Sequence, residues 1–69
     1  MKPSYKVKTK VEVIPTAYLH NEYESHVGGN GTIVELVKEE NWKSKYVPEY
    51  IVMLKRKRYL FPQYSLERI

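Results

Sequence analysis

Cysteine and aspartate are both missing from this chain of 69 residues. Without cysteine the fold has no disulfide, and the chain offers no thiol nucleophile, no zinc–thiolate ligand and no redox pair of its own. No apolar run approaches the ~20 residues that a membrane helix needs. The segment Met1–Lys6 also lacks the apolar stretch of a signal peptide. The sequence therefore predicts a soluble, cytoplasmic protein with no membrane partner.

The short chain also limits its chemistry. A chain of this length buries only about 60 % of its unfolded surface, so we expect one domain over residues 1–69. Its net stability should be roughly 3–10 kcal/mol. A small-substrate pocket is hard to build at this size, and no serine has a nearby base. Glu39 and Glu40 are neighbours and cannot face one bond from two sides. We therefore expect no enzymatic activity, no cofactor and no small-molecule substrate.

Alternating apolar and polar residues mark the first strand. Tyr5, Val7, Thr9, Val11 and Val13 alternate with lysine and glutamate, which is typical of a half-buried strand. Pro15 ends it, because proline cannot donate to a sheet ladder. The cluster Gly28–Gly31 then predicts a tight turn before the second strand.

The remaining breakers divide the chain into short strands. The five predicted strands cover residues 5–14, 32–38, 50–55, 58–61 and 66–69. The third is apolar on both faces, which predicts an interior position in the sheet, and Pro62–Ser65 predicts one helical turn before the last strand. This order predicts an all-β fold, a small SH3-like barrel of five strands. The predicted core consists of Val7, Val11, Val13, Val34, Leu36, Val52, Leu54, Leu60 and Leu66, with Phe61 and Tyr5 beside it.

Basic residues are the first candidates for binding, since 12 Lys and Arg against 8 Glu give a net charge of +4. Lys6, Lys8 and Lys10 are predicted to form a row on the first strand, and Lys43 and Lys45 lie beside aromatic residues. Cations interleaved with aromatic rings suit a nucleic acid. The alternative is that outward lysines only protect a strand edge.

A second basic group is Lys55–Arg58, which we call the basic knuckle. Like charges on a tight turn repel one another, and an acidic partner would relieve that repulsion. The aromatic residues in predicted connections are Tyr18, Trp42, Tyr46 and Tyr64. Each is either an interface anchor or a lid that folds back on the core. We expect a partner surface that contains the basic knuckle, Tyr18, Trp42 and Tyr46.

One polar segment resembles a metal site on paper. His20, Glu22, Glu24 and His26 would share one face of a strand. The segment has no cysteine and no helical histidine spacing, so a solvated loop is the simpler interpretation. We expect no metal here, although the residues alone leave the question open.

The chain resembles two SH3-like families. Val11–Val13, a long loop and Gly28-x-x-Gly31-x-Ile33 are similar to the opening of the KOW motif. The resemblance to the variable chain of ferredoxin–thioredoxin reductase extends over most of the chain. It covers Tyr18 and His20 in the loop, the turn Gly28–Gly31, Ile33–Val37, Pro48 before Ile51–Leu54, Arg58–Phe61 and the ending Leu66-Glu67-x-Ile69.

The two resemblances imply different functions. The variable chain implies a non-catalytic accessory subunit that braces a larger, cofactor-bearing protein partner. The KOW motif implies a module that contacts RNA. We expect the first function and keep nucleic acid as the alternative partner.

Overall fold

The computed structural model describes residues 3–15 and 26–69, and it confirms an all-β chain. Its five strands are β1 (Lys10–Val13), β2 (Asn30–Leu36), β3 (Glu49–Leu54), β4 (Lys57–Pro62) and β5 (Leu66–Arg68). Two 3₁₀ turns, Glu39–Asn41 and Gln63–Ser65, are the only helical elements of the described ranges. The second confirms the helical turn predicted before the last strand. Neither has the length and apolar character that crossing a membrane requires.

The strands form one antiparallel sheet in the order β4-β3-β2-β1-β5. β1 pairs with both β2 and β5, so the first and last strands of the chain are neighbours. Within the described ranges β4 and β5 do not pair, and the sheet is not closed into a barrel. β3 has a neighbour on each side, as its two apolar faces predict.

The first strand is shorter than the alternation predicts. Lys8 has a φ of 78°, and the amide of Thr9 donates to the carbonyl of Lys6 at 3.1 Å, so a turn precedes β1. A left-handed residue ends regular extended pairing. The prediction of a strand from residue 5 is therefore wrong. Val7, predicted to be in the core, is 46 % exposed.

A bulge in β2 changes which side chains reach the core. Ile33 lies opposite Val52, but Glu35 lies opposite Ile51, so Val34 is an extra residue in the ladder. One inserted residue shifts the alternation of everything after it. Ile33 is fully buried, whereas Val34 is only half-buried and Leu36 is 38 % exposed. The prediction that Val34 and Leu36 belong to the core is therefore wrong. Val34 is the inserted residue beside the inward Ile33, whereas Leu36 lies opposite the buried Tyr50 at the end of β2 and is nevertheless exposed.

The core lies on the inner face of the sheet. Five of the predicted core residues are buried: Val11, Val13, Val52, Leu54 and Leu66. Ile33, Tyr50 and Phe61 complete the buried cluster, and Tyr5 packs against it. Leu60 was also predicted to be in the core, but it is only half-buried, because it lies opposite Ile51 on the outer face of the sheet.

Candidate functional site

The outer face of β3 and β4 carries apolar side chains that the core does not use. Tyr50, Val52 and Leu54 are buried, and successive residues of a strand point to opposite faces. Ile51 and Met53 therefore point outward, where both are half-buried. Leu60 lies directly opposite Ile51, and opposed residues share a face. We call Ile51, Met53 and Leu60 the outer patch.

Cations border the outer patch on both sides. Arg58 lies opposite Met53 on β4, and Thr32 lies opposite Met53 on β2. Thr32 in turn lies opposite Lys10 on β1, so these residues form one row across four strands. Lys10 and Arg58 are exposed at its two ends. The exposed Glu35 lies opposite Ile51 on β2, so the outer patch is an apolar centre with cations at two ends and one carboxylate beside it.

The basic knuckle is continuous with this surface. Its four side chains are all exposed. Only Lys55 and Arg56 form the turn, whereas Lys57 and Arg58 already belong to β4. The predicted four-residue turn is thus a two-residue hairpin turn followed by the start of a strand. Arg58 belongs both to the knuckle and to the rim of the outer patch.

The knuckle turn has an unfavourable backbone for its sequence. Lys55 and Arg56 have φ angles of 48° and 69°. Two-residue hairpin turns with positive φ at both positions favour Asn-Gly. We expect Lys55→Asn with Arg56→Gly to raise the free energy of unfolding by about 1 kcal/mol, measured by urea denaturation. Lys57→Asn, one residue later in β4, is the control and should give no gain. A double variant less stable than the parent would contradict a strained turn.

The predicted lysine row does not form. Lys10 is in β1, but Lys8 lies in the preceding turn and Lys6 accepts the hydrogen bond that closes it. Residues before and after a left-handed position do not share one strand face, so the predicted row is wrong. Lys43 and Lys45 lie in the connection that enters β3 at Glu49, at the end opposite the knuckle. The six residues of β3 separate these two ends by about 17 Å.

The side chain of Trp42 is hydrogen-bonded to the backbone. Its indole Nε1 donates to the carbonyl of Val37 at 2.9 Å, and the side chain is half-buried. The next amide, that of Lys43, donates to the Glu49 carboxylate at 3.2 Å. Glu49 is 4 % exposed, so this bond lies at the base of the connection. Of the two interpretations of Trp42, the structure shows the side chain folded back.

Tyr46 and Tyr64 are exposed beside a small groove. Tyr46 is 66 % exposed, and Lys45 Nζ lies 5.1 Å from the centre of its ring. The groove has a volume of about 260 Å³, and its lining residues are Tyr5, Tyr46, Val47, Gln63 and Tyr64. Tyr18, the other predicted aromatic anchor, lies outside the described residues.

The buried Tyr50 is hydrogen-bonded to Gln63, one of the residues that line this groove. Its hydroxyl donates to Gln63 Oε1 at 2.6 Å and accepts the amide of Ser4 at 3.0 Å. Burial raises the pKa of the Tyr50 hydroxyl, and the amides that it accepts oppose the rise. The core prediction omitted Tyr50, although its alternation with Val52 and Leu54 was a signal for it.

A second cleft lies next to the knuckle. The His26 ring is 4.2 Å from the Tyr59 ring, centre to centre, and Lys55 lines the same cleft of about 610 Å³. Within residues 3–15 and 26–69, no group of three or more His, Cys, Asp or Glu residues could hold a metal ion. His20, Glu22 and Glu24 of the candidate metal set lie outside the described residues.

Comparisons with protein-family models, with curated proteins and with solved structures found no match to this chain.

Proposed function

We propose that this protein is a non-enzymatic interaction module, an accessory subunit that binds a larger protein through the outer patch and the basic knuckle. The observation that carries the proposal is the outward position of Ile51, Met53 and Leu60, three apolar side chains that do not contribute to the buried core. Protein interfaces commonly combine an apolar centre with a polar rim. Arg58, Lys10 and Glu35 supply such a rim, and the four cations of the adjoining knuckle suit an acidic partner.

The topology supports an SH3-like fold for this module. The strand order places β5 beside β1, and a 3₁₀ turn leads directly into β5. Curling such a sheet would give a small barrel. This arrangement fits the resemblance to the variable chain of ferredoxin–thioredoxin reductase, which implies a subunit that braces a cofactor-bearing partner.

The distribution of charge favours a protein partner over RNA. A nucleic-acid surface needs cations and stacking rings along one track. Here β3, about 17 Å long, separates the knuckle from the end of the strand where the connection that carries Lys45 and Tyr46 joins it. The outer face next to the knuckle carries the aliphatic outer patch, whereas the His26 and Tyr59 rings line the separate cleft beside Lys55. The KOW-like, RNA-binding function remains the alternative, and the experiment below distinguishes the two.

The outer patch and the knuckle can be tested by substitution. We expect Met53→Glu to leave the fold intact and to weaken partner association at least about tenfold, because it places a charge at an apolar centre. Arg56→Glu with Arg58→Glu should also weaken association, with a steeper dependence on salt. Association is measured after affinity isolation from the native host, scored for both protein and nucleic acid.

The control is Lys38→Glu with Lys45→Glu, which changes the net charge by as much as the arginine pair does. A protein partner predicts that this control binds normally and that Met53→Glu does not. A nucleic acid predicts that both charge swaps weaken binding, while Met53→Glu has little effect and binding falls steeply with salt. Full binding by Met53→Glu and by the arginine pair would overturn the proposal.

A further inference from the structure

The direction of the backbone hydrogen bonds in β4 can be derived from two bonds at its base. The amide of Val37 donates to the carbonyl of Glu49 at 3.1 Å, so Glu49 presents its backbone to β2. The amide of Gln63 donates to the carbonyl of Pro48 at 2.8 Å, so Pro48 faces the β4 side. Because backbone groups alternate along an antiparallel strand, Tyr50, Val52 and Leu54 also bond to β4.

The partners of those residues in β4 are therefore fixed. Phe61, Tyr59 and Lys57 lie opposite Tyr50, Val52 and Leu54, and they take the bonds to β3. The residues between them, Arg58 and Leu60, turn their amides and carbonyls away from β3. β4 is a terminal strand of the sheet, and no other strand of the described ranges pairs with it. Pro62 ends this edge, because it has no amide hydrogen.

We propose that the edge of β4 binds an extended acidic segment of the partner as an additional strand. An exposed edge is a template for strand addition, in which main-chain hydrogen bonds give affinity and side chains give specificity. This inference rests on the proposed function, and it names how the partner is held. The added strand would present its side chains beside Arg58 and Leu60, on the same face as the outer patch.

The positive charge of the β4 edge favours an acidic partner segment. Lys57 and Arg58 lie in the edge strand, and the knuckle turn adds two further cations at its end. A second copy of this edge would bring like charges together, which disfavours self-pairing. A strand with glutamate opposite Arg58 and an apolar residue opposite Leu60 would match both positions. Pro62 is buried, so the available edge runs from Arg58 to Leu60 and fits a segment of about three residues.

Amide hydrogen exchange tests strand addition directly. The probe is an acetylated peptide, Glu-Thr-Val-Thr-Glu-Thr-Val, whose glutamates and valines alternate along one face, added to the full chain labelled with nitrogen-15. At a peptide concentration of ten times Kd, exchange at the Arg58 and Leu60 amides should slow about tenfold. The Tyr59 amide already bonds to β3 and should change little. The matched peptide with lysine in place of glutamate should not bind.

Leu60→Pro provides an independent test. It removes an outward amide hydrogen and leaves the β3 ladder in place, and proline is tolerated on edge strands. Leu60→Val is the control, since it keeps the amide. We expect the proline variant to keep a folded amide spectrum and to bind the acidic peptide at least about tenfold more weakly than the control. Should the proline variant not fold, the exchange measurement on the parent decides.

Failure of this inference is distinguishable from failure of the proposed function. Absence of peptide binding, unchanged exchange at Arg58 and Leu60, or equal binding by the proline and valine variants would each overturn strand addition. In those cases the proposed function still stands if Met53→Glu loses the native partner. It falls as well if Met53→Glu and the arginine pair keep that partner.

Discussion

Leu54→Ala should lower the free energy of unfolding by about 2–4 kcal/mol, because it leaves a cavity in the core. Leu54 is 4 % exposed and belongs to the buried cluster. The total free energy of unfolding of a domain of this size is roughly 3–10 kcal/mol, so the variant should be close to unfolding. A thermal melt measures the loss.

Met53→Ala is the matched control for that variant. Met53 is the adjacent residue of β3, but it lies on the outer face and is only half-buried. Its truncation should cost less than about 1 kcal/mol. A Leu54→Ala melt within a few degrees of the parent would refute the inner position of Leu54.

Gly31→Ala should be the most damaging change among the glycines. A Cβ atom at Gly31 would lie 2.6 Å from the carbonyl oxygen of Met53, 2.7 Å from Val52 Cγ1 and 2.8 Å from Leu54 Cδ2. The carbonyl oxygen of Met53 is a backbone atom that no side-chain rotation can move away, so β2 and β3 must move apart. We expect a loss of about 1–3 kcal/mol in urea denaturation, as for other overpacked sites.

Gly28→Ala separates crowding from backbone strain. Gly28 has a φ of 88°, but a Cβ atom there would have no neighbour within 4 Å. Its substitution should cost only the strain of a left-handed residue, about 1 kcal/mol. Equal losses for the two variants, or a larger loss at Gly28, would contradict the close approach of β2 and β3.

The sequence predicted the strands well where side-chain chemistry is local. Proline at positions 15 and 62 and the glycine cluster separated the strands correctly. The observed boundary at the glycines differs from the predicted one. Asn30 and Gly31 belong to β2, and the turn covers His26–Gly28. Glycine is needed at position 31 because β3 lies too close for a side chain there. The two residues in contact are far apart in the sequence. Alternation alone could not reveal this contact.

Backbone irregularities account for some of the wrong predictions. The left-handed Lys8 divides a segment whose alternation is otherwise regular, and lysine gives no sign of that conformation. The bulge at Val34 shifts the alternation of the residues after it, so that Glu35 lies opposite Ile51 and Leu36 lies opposite Tyr50. Both features depend on pairing with other strands, which a single sequence does not display.

The candidate site was predictable in part. The basic knuckle was found because four cations in succession stand out in any sequence. The sequence shows that the third strand is apolar on both faces. Such a pattern predicts that both faces are buried, so it did not indicate an outer patch. Only the register shows that Ile51 and Met53 remain half-buried, with Leu60 and Arg58 beside them.

The most direct test of the central claim is comparative isolation of the native partner with the parent, Met53→Glu and the control pair Lys38→Glu with Lys45→Glu. The account predicts that the parent and the control pair retain the same protein and that Met53→Glu loses it. Retention of that protein by Met53→Glu, or capture of nucleic acid alone by the parent, would contradict binding through the outer patch.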